Sequence, residues 1–393
     1  MADVGILATN FGLIISDDDG ATWTWTCEME QTLNGSLYAI GAPPMDRAYS
    51  LSSLMGLAYT DDASCTWKTA TGTLDRVITT DFFPDPTNPL RVFAIGQDPD
   101  GATTPRVFPS DDGGATFGAA IYETTTADTL SGVESARSDP QTVYLAMFSS
   151  PGIHPKLVRS TDGGTKWEVV DVEASLGPNN FRIIAVDPND ARTITLRVIE
   201  PLGESFAISR DGGDTFTKIF TLAGGVLTAY ARLDSGTVLV GGIVLDQAHG
   251  FRSTDGGMTF QDWKVPHLLS LATRAGKVYA AAKNYSDDWA VGVSTDEGLT
   301  FTPLTRYDQV KAIRPCAQAV CYESCLNLAG RQVWDKAVCG AGPNPPPPPP
   351  PPPPESSFCG VAADQTSGVT LALATCVLAL AAALASRRRR HRR

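Results

Sequence analysis

The stretch that decides the fold is the octet Ser-Arg-Asp-Gly-Gly-Asp-Thr-Phe at Ser209–Phe216. Octets of the pattern Ser-x-Asp-x-Gly-x-Thr-(Trp/Phe) start at seven positions: Ser16, Thr60, Ser110, Ser160, Ser209, Ser253 and Ser294. Their starts are separated by 44, 50, 50, 49, 44 and 41 residues. A period of about 40 to 50 residues is the length of one four-stranded propeller blade. The sequence therefore predicts an all-β fold, a seven-bladed β-propeller of four-stranded antiparallel blades.

Each octet is predicted to form the turn of a β-hairpin, because alternating apolar residues flank it. The aspartate can accept hydrogen bonds from backbone amides of the turn, and the glycine supplies a positive φ without steric cost. The closing aromatic residue can pack between neighbouring blades. Two octets deviate, with Ser64 in the glycine position and Lys166 in the threonine position.

These octet positions are predicted to be structural rather than catalytic. They are the aspartates Asp18, Asp62, Asp112, Asp162, Asp211, Asp255 and Asp296, the glycines Gly20, Gly114, Gly164, Gly213, Gly257 and Gly298, and the aromatics Trp23, Trp67, Phe117, Trp167, Phe216, Phe260 and Phe301.

The octets resemble Asp boxes, also called BNR repeats, and the resemblance covers residues 4–315. Asp boxes occur in bacterial sialidases, sortilin-type receptors, xyloglucan-cleaving hydrolases and the photosystem II assembly factor family. The resemblance implies that each octet lies between the third and fourth strands of its blade, on the outside and away from the ligand-binding face.

The first blade is predicted to lack its innermost strand, because the chain begins almost directly with the second strand, Val4–Thr9. We expect Gln309–Pro315 to supply the missing strand, which would close the ring and remove a free edge. The alternative is that the true start lies upstream and that an earlier strand has been lost.

Composition excludes some classes of partner. The 393-residue chain has a net charge of −12, although six of its last seven residues are arginines. An acidic propeller is a poor ligand for nucleic acid or for anionic lipid. No cofactor or metal is expected: Asp17–Gly20 hints at calcium but lacks the downstream glutamate of a helix-loop-helix site.

Six cysteines are predicted to form disulfides: Cys27, Cys65, Cys316, Cys321, Cys325 and Cys339. The last four fall within 24 residues without a nearby histidine, at spacings that fit a disulfide knot better than a zinc site. A bridge between Cys27 and Cys65 would join the first two blades, and the alternative is two buried free thiols. Disulfides indicate an oxidising compartment.

Beyond residue 342 the chain is predicted to leave the globular part. The domains expected are the propeller (1–315), a Cys-rich segment (316–342), a proline-rich linker (343–358) that forms a stiff polyproline spacer, and a C-terminal signal (359–393). The signal combines Cys359, the apolar run Val369–Ala385 and an arginine cluster, which should stay cytoplasmic.

The order of these C-terminal elements resembles the myxobacterial C-terminal sorting signal (MYXO-CTERM). The resemblance implies a transmembrane helix, a sorting protease that acts near Cys359, and attachment of the protein to the outer surface of a Gram-negative cell. The alternative is a permanent single-pass membrane anchor. No secretory signal precedes Val4, so we expect that the natural start lies upstream or that the chain is a fragment.

Catalysis is not favoured by the sequence. A sialidase should show an Arg-Ile-Pro tripeptide before its first box, and none precedes Ser16. A hydrolase with two carboxylates is the better enzymatic alternative. Its candidate groups in loops facing the binding side are Asp98, Asp100, Glu200, Glu204, Asp246, Asp287, Asp288, His154 and His249, and no two of them stand at a diagnostic spacing.

Tyr285, Trp289 and Phe148 could form an aromatic platform for a ligand, although packing within the blades is the favoured interpretation. The sequence thus favours a non-catalytic recognition or scaffold module, displayed at the cell surface, for an extracellular glycan or protein. The alternative is a glycoside hydrolase of the xyloglucanase or sialidase type.

Overall fold

The computed structural model of this protein describes residues 5–27, 35–45, 47–52, 56–99, 104–125 and 128–342. Asp100, the proline-rich linker and the C-terminal signal with Cys359 and its predicted transmembrane helix lie outside the described residues. Within the described ranges, every helix is too short or too polar to cross a bilayer.

Seven four-stranded sheets form the blades, which confirms the predicted all-β, seven-bladed propeller. Blade 1 begins with β1 (Gly5–Thr9), β2 (Gly12–Ser16) and β3 (Thr24–Thr26). Blade 2 consists of β4 (Gly35–Ile40), β5 (Ala48–Ser52), β6 (Gly56–Thr60) and β7 (Lys68–Thr69). The chain then forms β8 (Thr71–Gly72), β9 (Ile78–Pro84), β10 (Val92–Gln97), β11 (Arg106–Ser110), β12 (Thr116–Phe117) and β13 (Tyr122–Glu123). Strands β9, β10, β11 and β13 make blade 3, and the short strands β8 and β12 pair in parallel between blades 2 and 3.

The remaining four blades follow without interruption. Blade 4 consists of β14 (Asp128–Ser135), β15 (Val143–Ser149), β16 (His154–Ser160) and β17 (Glu168–Asp171), and blade 5 of β18 (Asn180–Asp187), β19 (Asp190–Glu200), β20 (Gly203–Ser209) and β21 (Thr217–Ala223). Blade 6 consists of β22 (Gly225–Arg232), β23 (Val238–Val244), β24 (Gln247–Ser253) and β25 (Gln261–Asp262), and blade 7 of β26 (Leu268–Arg274), β27 (Lys277–Ala282), β28 (Val291–Ser294) and β29 (Thr302–Thr305).

Helical segments are few and short among the residues that the structure describes. There the α-helices are α1 (Glu173–Leu176), α2 (Asn284–Asp287) and α3 (Gln318–Gly330), and the 3-10 turns are Thr73–Arg76, Tyr307–Gln309, Pro315–Ala317 and Lys336–Cys339. The helix α3 runs through the Cys-rich segment and buries Cys321 and Cys325.

The core lies between the blades rather than within one layer. Strands pair antiparallel within each blade, so alternate side chains point towards the two neighbouring blades. One cluster, for example, joins Tyr49 and Leu57 of blade 2 to Phe82 and Phe108 of blade 3. Each blade is thereby stabilised by apolar burial on both faces.

The innermost strand of blades 2 to 7 has a one-residue bulge against the second strand. The extra residues are Ser36, Thr80, Ser131, Ile184, Thr228 and Leu269. A bulge interrupts the ladder locally and leaves backbone groups without a ladder partner. Carboxylates of the preceding blade accept two backbone amides near these bulges, Val133 N to Asp81 Oδ2 at 2.9 Å and Leu227 N to Glu204 Oε2 at 2.7 Å.

The predicted ring closure is wrong. The C-terminal strand β30 (Ala312–Ile313) pairs in parallel with β3, the outer strand of blade 1, and not with β1 at the tunnel. Apolar burial holds this segment at the rim, because Ile313 packs in one cluster with Trp25, Cys321 and Trp334. Among the described residues, β1 is therefore the innermost strand of blade 1.

All six predicted cysteines are disulfide-bonded, but the predicted grouping is wrong. The bridges are Cys27–Cys321, Cys65–Cys316 and Cys325–Cys339. Only the last lies within the Cys-rich segment, so this segment is not a separate knot, and Cys27 does not bridge to Cys65. The other two bridges join blades 1 and 2 to the C-terminal segment, because β30 places that segment against the rim of blade 1.

Candidate functional site on the loop face

The octets occupy one face of the propeller. In blades 2 to 7 each octet follows the third strand and precedes the fourth, and in blade 1 it lies between β2 and β3. In the fifth octet, Ser209 Oγ donates to Asp211 Oδ1 at 2.7 Å and accepts from Gly213 N at 2.8 Å. The Thr215 amide donates to Oδ1 of the same aspartate at 3.0 Å, and its hydroxyl donates to Oδ2 at 2.6 Å. The octet carboxylate is therefore fully engaged by its own turn.

The pKa of all seven octet aspartates is lowered. At Asp62, Asp112 and Asp211 burial raises the pKa, but hydrogen bonds from the turn outweigh it, and hydrogen bonds from the turn lower the pKa at the other four as well. At Asp296 the hydroxyl of Thr300 and then that of Ser294 hold the pKa at about 2. A carboxylate with such a pKa is a poor proton donor near neutrality. The glycine position has a φ of 79° to 94° where glycine is present, and 74° at Ser64. The octet geometry is that of a structural corner.

The opposite face is formed by the turns between the second and third strands, and we call it the loop face. Each third strand runs from one face of the ring to the other. The turn before it and the octet after it therefore lie on opposite faces. The candidate acidic residues that the structure describes, which exclude Asp100, lie on or near this loop face.

Most of the charged candidates are held by partners within the chain. Four candidate carboxylates pair with an arginine or a lysine: Asp98 with Arg106 at 2.8 Å, Asp288 with Arg306 at 2.8 Å, Asp246 with Lys283 and Glu200 with Lys218. Two pairs contain a histidine: Asp287 with His267 at 3.0 Å and Glu173 with His154 at 2.7 Å. Glu204 is buried and bonds the Leu227 amide of the next blade. His249 lies in β24, opposite Gly242. These groups are distributed over several blades, and each carboxylate is held by its own partner.

The aromatic candidates separate into two kinds. Trp289 is buried and stacks on Phe301 with ring centroids 6.1 Å apart, and Phe148 is half-buried within β15. Tyr285 stands 68% exposed in α2 and contacts Tyr307 edge-on. The structure therefore leaves a single exposed ring among the three, which is not a platform for stacking sugars.

Exposed apolar side chains on successive blades are the feature that the sequence did not reveal. Leu202, at the two-residue turn of blade 5, is 84% exposed, and Leu245, at the two-residue turn of blade 6, is 91% exposed. Tyr285 is the corresponding residue on blade 7. Large apolar groups grouped on adjacent elements mark interaction surfaces, whereas single ones do not. The available signal was a leucine where a tight turn prefers Asn, Asp or Gly.

The Leu245 turn is unusual in its backbone as well. Both of its central residues have positive φ, 44° at Leu245 and 66° at Asp246. The left-handed conformation costs about 1–2 kcal/mol for a residue with a side chain such as leucine. An exposed leucine in a strained conformation adds nothing to the core, which indicates a role outside folding.

A second group of ionisable residues lies on the innermost strands of blades 3 to 5. Burial raises the pKa of Asp81 to about 6, although amide hydrogen bonds and Arg182 oppose the shift. Burial, followed by the Asp81 charge, also raises the pKa of Glu134 well above its usual value. The sequence feature that could have identified these two residues is a charged side chain within an otherwise apolar inner strand. Neither residue was among the candidates selected from the sequence.

A cavity of about 750 Å³ lies between β1 and the inner strand of blade 7. Its lining includes Ile6, Leu7, Ala272, Leu304 and Arg137. Strand β1 is only half-buried, whereas β5, the second strand of blade 2, is fully buried. The cavity therefore lies where the sequence placed a further inner strand of blade 1. Among the residues that the structure describes, no cluster of three His, Cys, Asp or Glu side chains could hold a metal ion.

Comparison with known proteins identifies the fold alone. No protein-family model matches the chain, and no curated protein sequence matches it. Among solved structures, an ancestral GH74 enzyme is 15% identical with a TM-score of 0.51, over 77% of this chain and 44% of that one. A puromycin-hydrolysing peptidase of Mycobacterium tuberculosis is 11% identical with a TM-score of 0.53, over 78% and 54%. YCF48 bound to D1 peptide is 14% identical with a TM-score of 0.45, over 69% and 83%. The chain spans less than two thirds of the length of the first two proteins.

Proposed function

We propose that this chain is a non-catalytic recognition module that binds an extracellular polypeptide on its loop face. The observation that carries the proposal is the series of exposed apolar tips on blades 5, 6 and 7: Leu202, Leu245 and Tyr285. Apolar anchors surrounded by polar groups are the usual composition of a protein interface.

The charged groups around these tips support binding more than catalysis. Asp246, Asp287 and Asp288 are each paired with a cation or a histidine of the same chain. A carboxylate that is paired within the chain can contribute to the polar rim of an interface. It is poorly suited to exchange protons with a substrate. With Tyr285 as the single exposed ring of the three aromatic candidates, a polypeptide ligand fits the surface better than a glycan.

Glycoside hydrolysis is the second candidate function, favoured by one observation. Asp81 and Glu134 are carboxyl groups with raised pKa on neighbouring inner strands, which is the property of a general acid. Asp81 also accepts the Val133 amide across the blade boundary, and this bond gives it a structural use. Recognition is therefore the function that we put forward.

The proposal includes the identity of the octets and the location of the protein. We infer that the octets are Asp boxes, which the repeated Ser-Asp-Gly-Thr hydrogen bonds support. We also infer display at the surface of a Gram-negative cell through residues 359–393, anchored by a membrane helix or by processing at Cys359. The three disulfides support an oxidising location.

Selection from a displayed random-peptide library tests the function. The full chain would be the bait, and the selected peptides would be titrated against Leu202→Ser/Leu245→Ser. The matched control is Met258→Ser/Leu299→Ser, which removes two exposed apolar side chains, 58% and 59% exposed, from the octet face. We expect at least about tenfold weaker binding to the loop-face variant, equal to about 1.4 kcal/mol, and unchanged binding to the control.

Two outcomes would contradict the proposal. One is a set of selected peptides that bind both double variants as tightly as the unmodified chain. The other is release of reducing sugar ends from a polysaccharide that is lost in both Asp81→Asn and Glu134→Gln, which would establish the hydrolase instead.

A further inference from the structure

The Leu245 turn is held to blade 7 by contacts at its second residue, Asp246. The Asp246 carboxylate pairs with Lys283 Nζ, just before α2. The Asp246 backbone oxygen lies 3.0 Å from Nε2 of His267, in the segment that leads into β26. These contacts connect the most exposed apolar side chain on the loop face to the adjacent blade.

His267 is also in contact with a second oxygen. Its Nδ1 lies 3.0 Å from Asp287 Oδ1, and its backbone amide donates to the same carboxylate at 3.1 to 3.2 Å. A carboxylate and a backbone carbonyl only accept hydrogen bonds. Both ring nitrogens must therefore carry a proton, so that the observed geometry requires the charged imidazolium form.

A neutral imidazole can keep only one of these two ring hydrogen bonds. The amide of His267 already binds Asp287, so this carboxylate remains the closest acceptor when the ring loses its charge. The unprotonated Nε2 then faces the backbone oxygen of Asp246. Both atoms are hydrogen-bond acceptors, so the hydrogen bond between them is lost. Because Leu245 and Asp246 are both in left-handed conformations, the turn has a conformational cost that the lost contact no longer offsets.

The charged groups that face His267 determine when this happens. Asp287 in α2 raises the pKa of His267 most, partial burial lowers it, the Asp246 carbonyl raises it, and Lys283 lowers it; the balance is upward. A histidine with a raised folded pKa stabilises the folded contact fully below its unfolded pKa near 6.5. That stabilisation is lost as the pH rises through the higher folded pKa.

We propose that protonated His267 is a latch that orders the Leu245 turn, so that the loop face binds its ligand more tightly at mildly acidic than at alkaline pH. The ordering of the turn follows from the contacts alone. Only the change in ligand affinity rests on the proposed function.

Nuclear magnetic resonance of the full chain without ligand tests the latch. The chain would be labelled at histidine ring carbons and leucine methyl groups and titrated from pH 5 to pH 9. We expect the His267 ring to titrate above pH 6.5, and the Leu245 methyl groups to become more mobile with the same midpoint. Asp287→Asn should move both midpoints to lower pH, and His267→Gln should remove the change at Leu245.

His154→Gln is the matched control, since His154 also pairs with a carboxylate, Glu173, but lies on blade 4 away from the turn. It should leave the Leu245 transition in place. Leu245 methyl mobility that is constant from pH 5 to pH 9 would overturn the latch, and so would a transition that persists in His267→Gln.

The two proposals fail in different ways. If the Leu245 turn switches as expected but the selected peptides bind equally at both ends of the pH range and are unaffected by Leu202→Ser/Leu245→Ser, the latch exists and the loop face is not the binding site. If no switch occurs, the latch is wrong whatever the peptides do.

Discussion

At the scale of single residues, the octet solves one hydrogen-bonding problem repeatedly. A tight turn leaves several backbone amides without partners. In the sixth octet the Asp255 carboxylate accepts two of them together with two hydroxyl donors. The serine beneath it is buried and binds the amide of the glycine position. The same four positions recur because each supplies one of these groups.

The fourth octet lacks one of these hydrogen bonds. Lys166 stands in the threonine position, so its amide still donates to Asp162 Oδ1 at 2.8 Å but no hydroxyl reaches Oδ2. Lys166→Thr should restore the bond seen in the other octets and raise the free energy of unfolding, measured by urea denaturation. Lys166→Ala removes the same lysine without adding the hydroxyl, and a threonine variant no more stable than this alanine variant would contradict the argument.

At the scale of elements, the C-terminal segment contributes to the closure of the ring from the rim of blade 1. Strand periodicity predicted instead that it would supply the inner strand of that blade. Strand β30 is two residues long and adds to the rim of blade 1, where the 3-10 turns and α3 bring Cys316 and Cys321 to blades 2 and 1. A two-residue strand contributes little by itself. The two long-range disulfides and the apolar cluster around Trp25 and Trp334 therefore hold residues 312–339 against blades 1 and 2.

Removal of the long-range bridges should lower the free energy of unfolding more than removal of the short-range bridge. Cys325–Cys339 spans 14 residues, and its loss should cost about 3 kcal/mol in the loop-entropy relation. Cys27–Cys321 and Cys65–Cys316 span 294 and 251 residues, and their joint replacement by alanine should cost on the order of 5 kcal/mol or more. Calorimetry of the two sets of variants measures the difference. Equal losses would show that packing alone holds residues 312–339 against blades 1 and 2.

At the scale of the whole molecule, ionisable groups of two kinds act on stability in opposite directions. The octet aspartates have lowered pKa values, about 2 at Asp211 and Asp296. Their contribution is present above the unfolded pKa near 3.8 and is lost as the pH falls through the folded pKa. Asp81, with a pKa of about 6, and Glu134 behave oppositely, since their folded forms hold protons that the unfolded chain releases.

The free energy of unfolding should therefore be largest on the acid side of neutrality, at about pH 4 to 5, and should fall steeply towards pH 2. Urea denaturation at a series of pH values measures this profile. Asp211→Asn/Asp296→Asn should flatten the acid limb, and Glu134→Gln should flatten the decline above pH 5. A profile with its maximum above pH 7 would show that the octet carboxylates and the inner-strand carboxyls do not control stability.

The sequence by itself determined the number of blades, the hairpin at each octet and the oxidation of six cysteines. These follow from local patterns: a repeat period, a turn that needs Asp and Gly at set positions, and closely spaced cysteines without histidine. The hairpin strands that flank each octet follow for the same reason, since the alternation of apolar residues is a property of adjacent positions.

Only the tertiary structure decided which cysteines pair, where β30 adds, which acidic loop residues are already neutralised and which apolar tips stand exposed. Each of these depends on distances between residues far apart in the chain, such as Cys27 and Cys321 or Asp287 and His267. Composition and spacing do not encode such distances, because closure of the ring sets them once all the blades have packed.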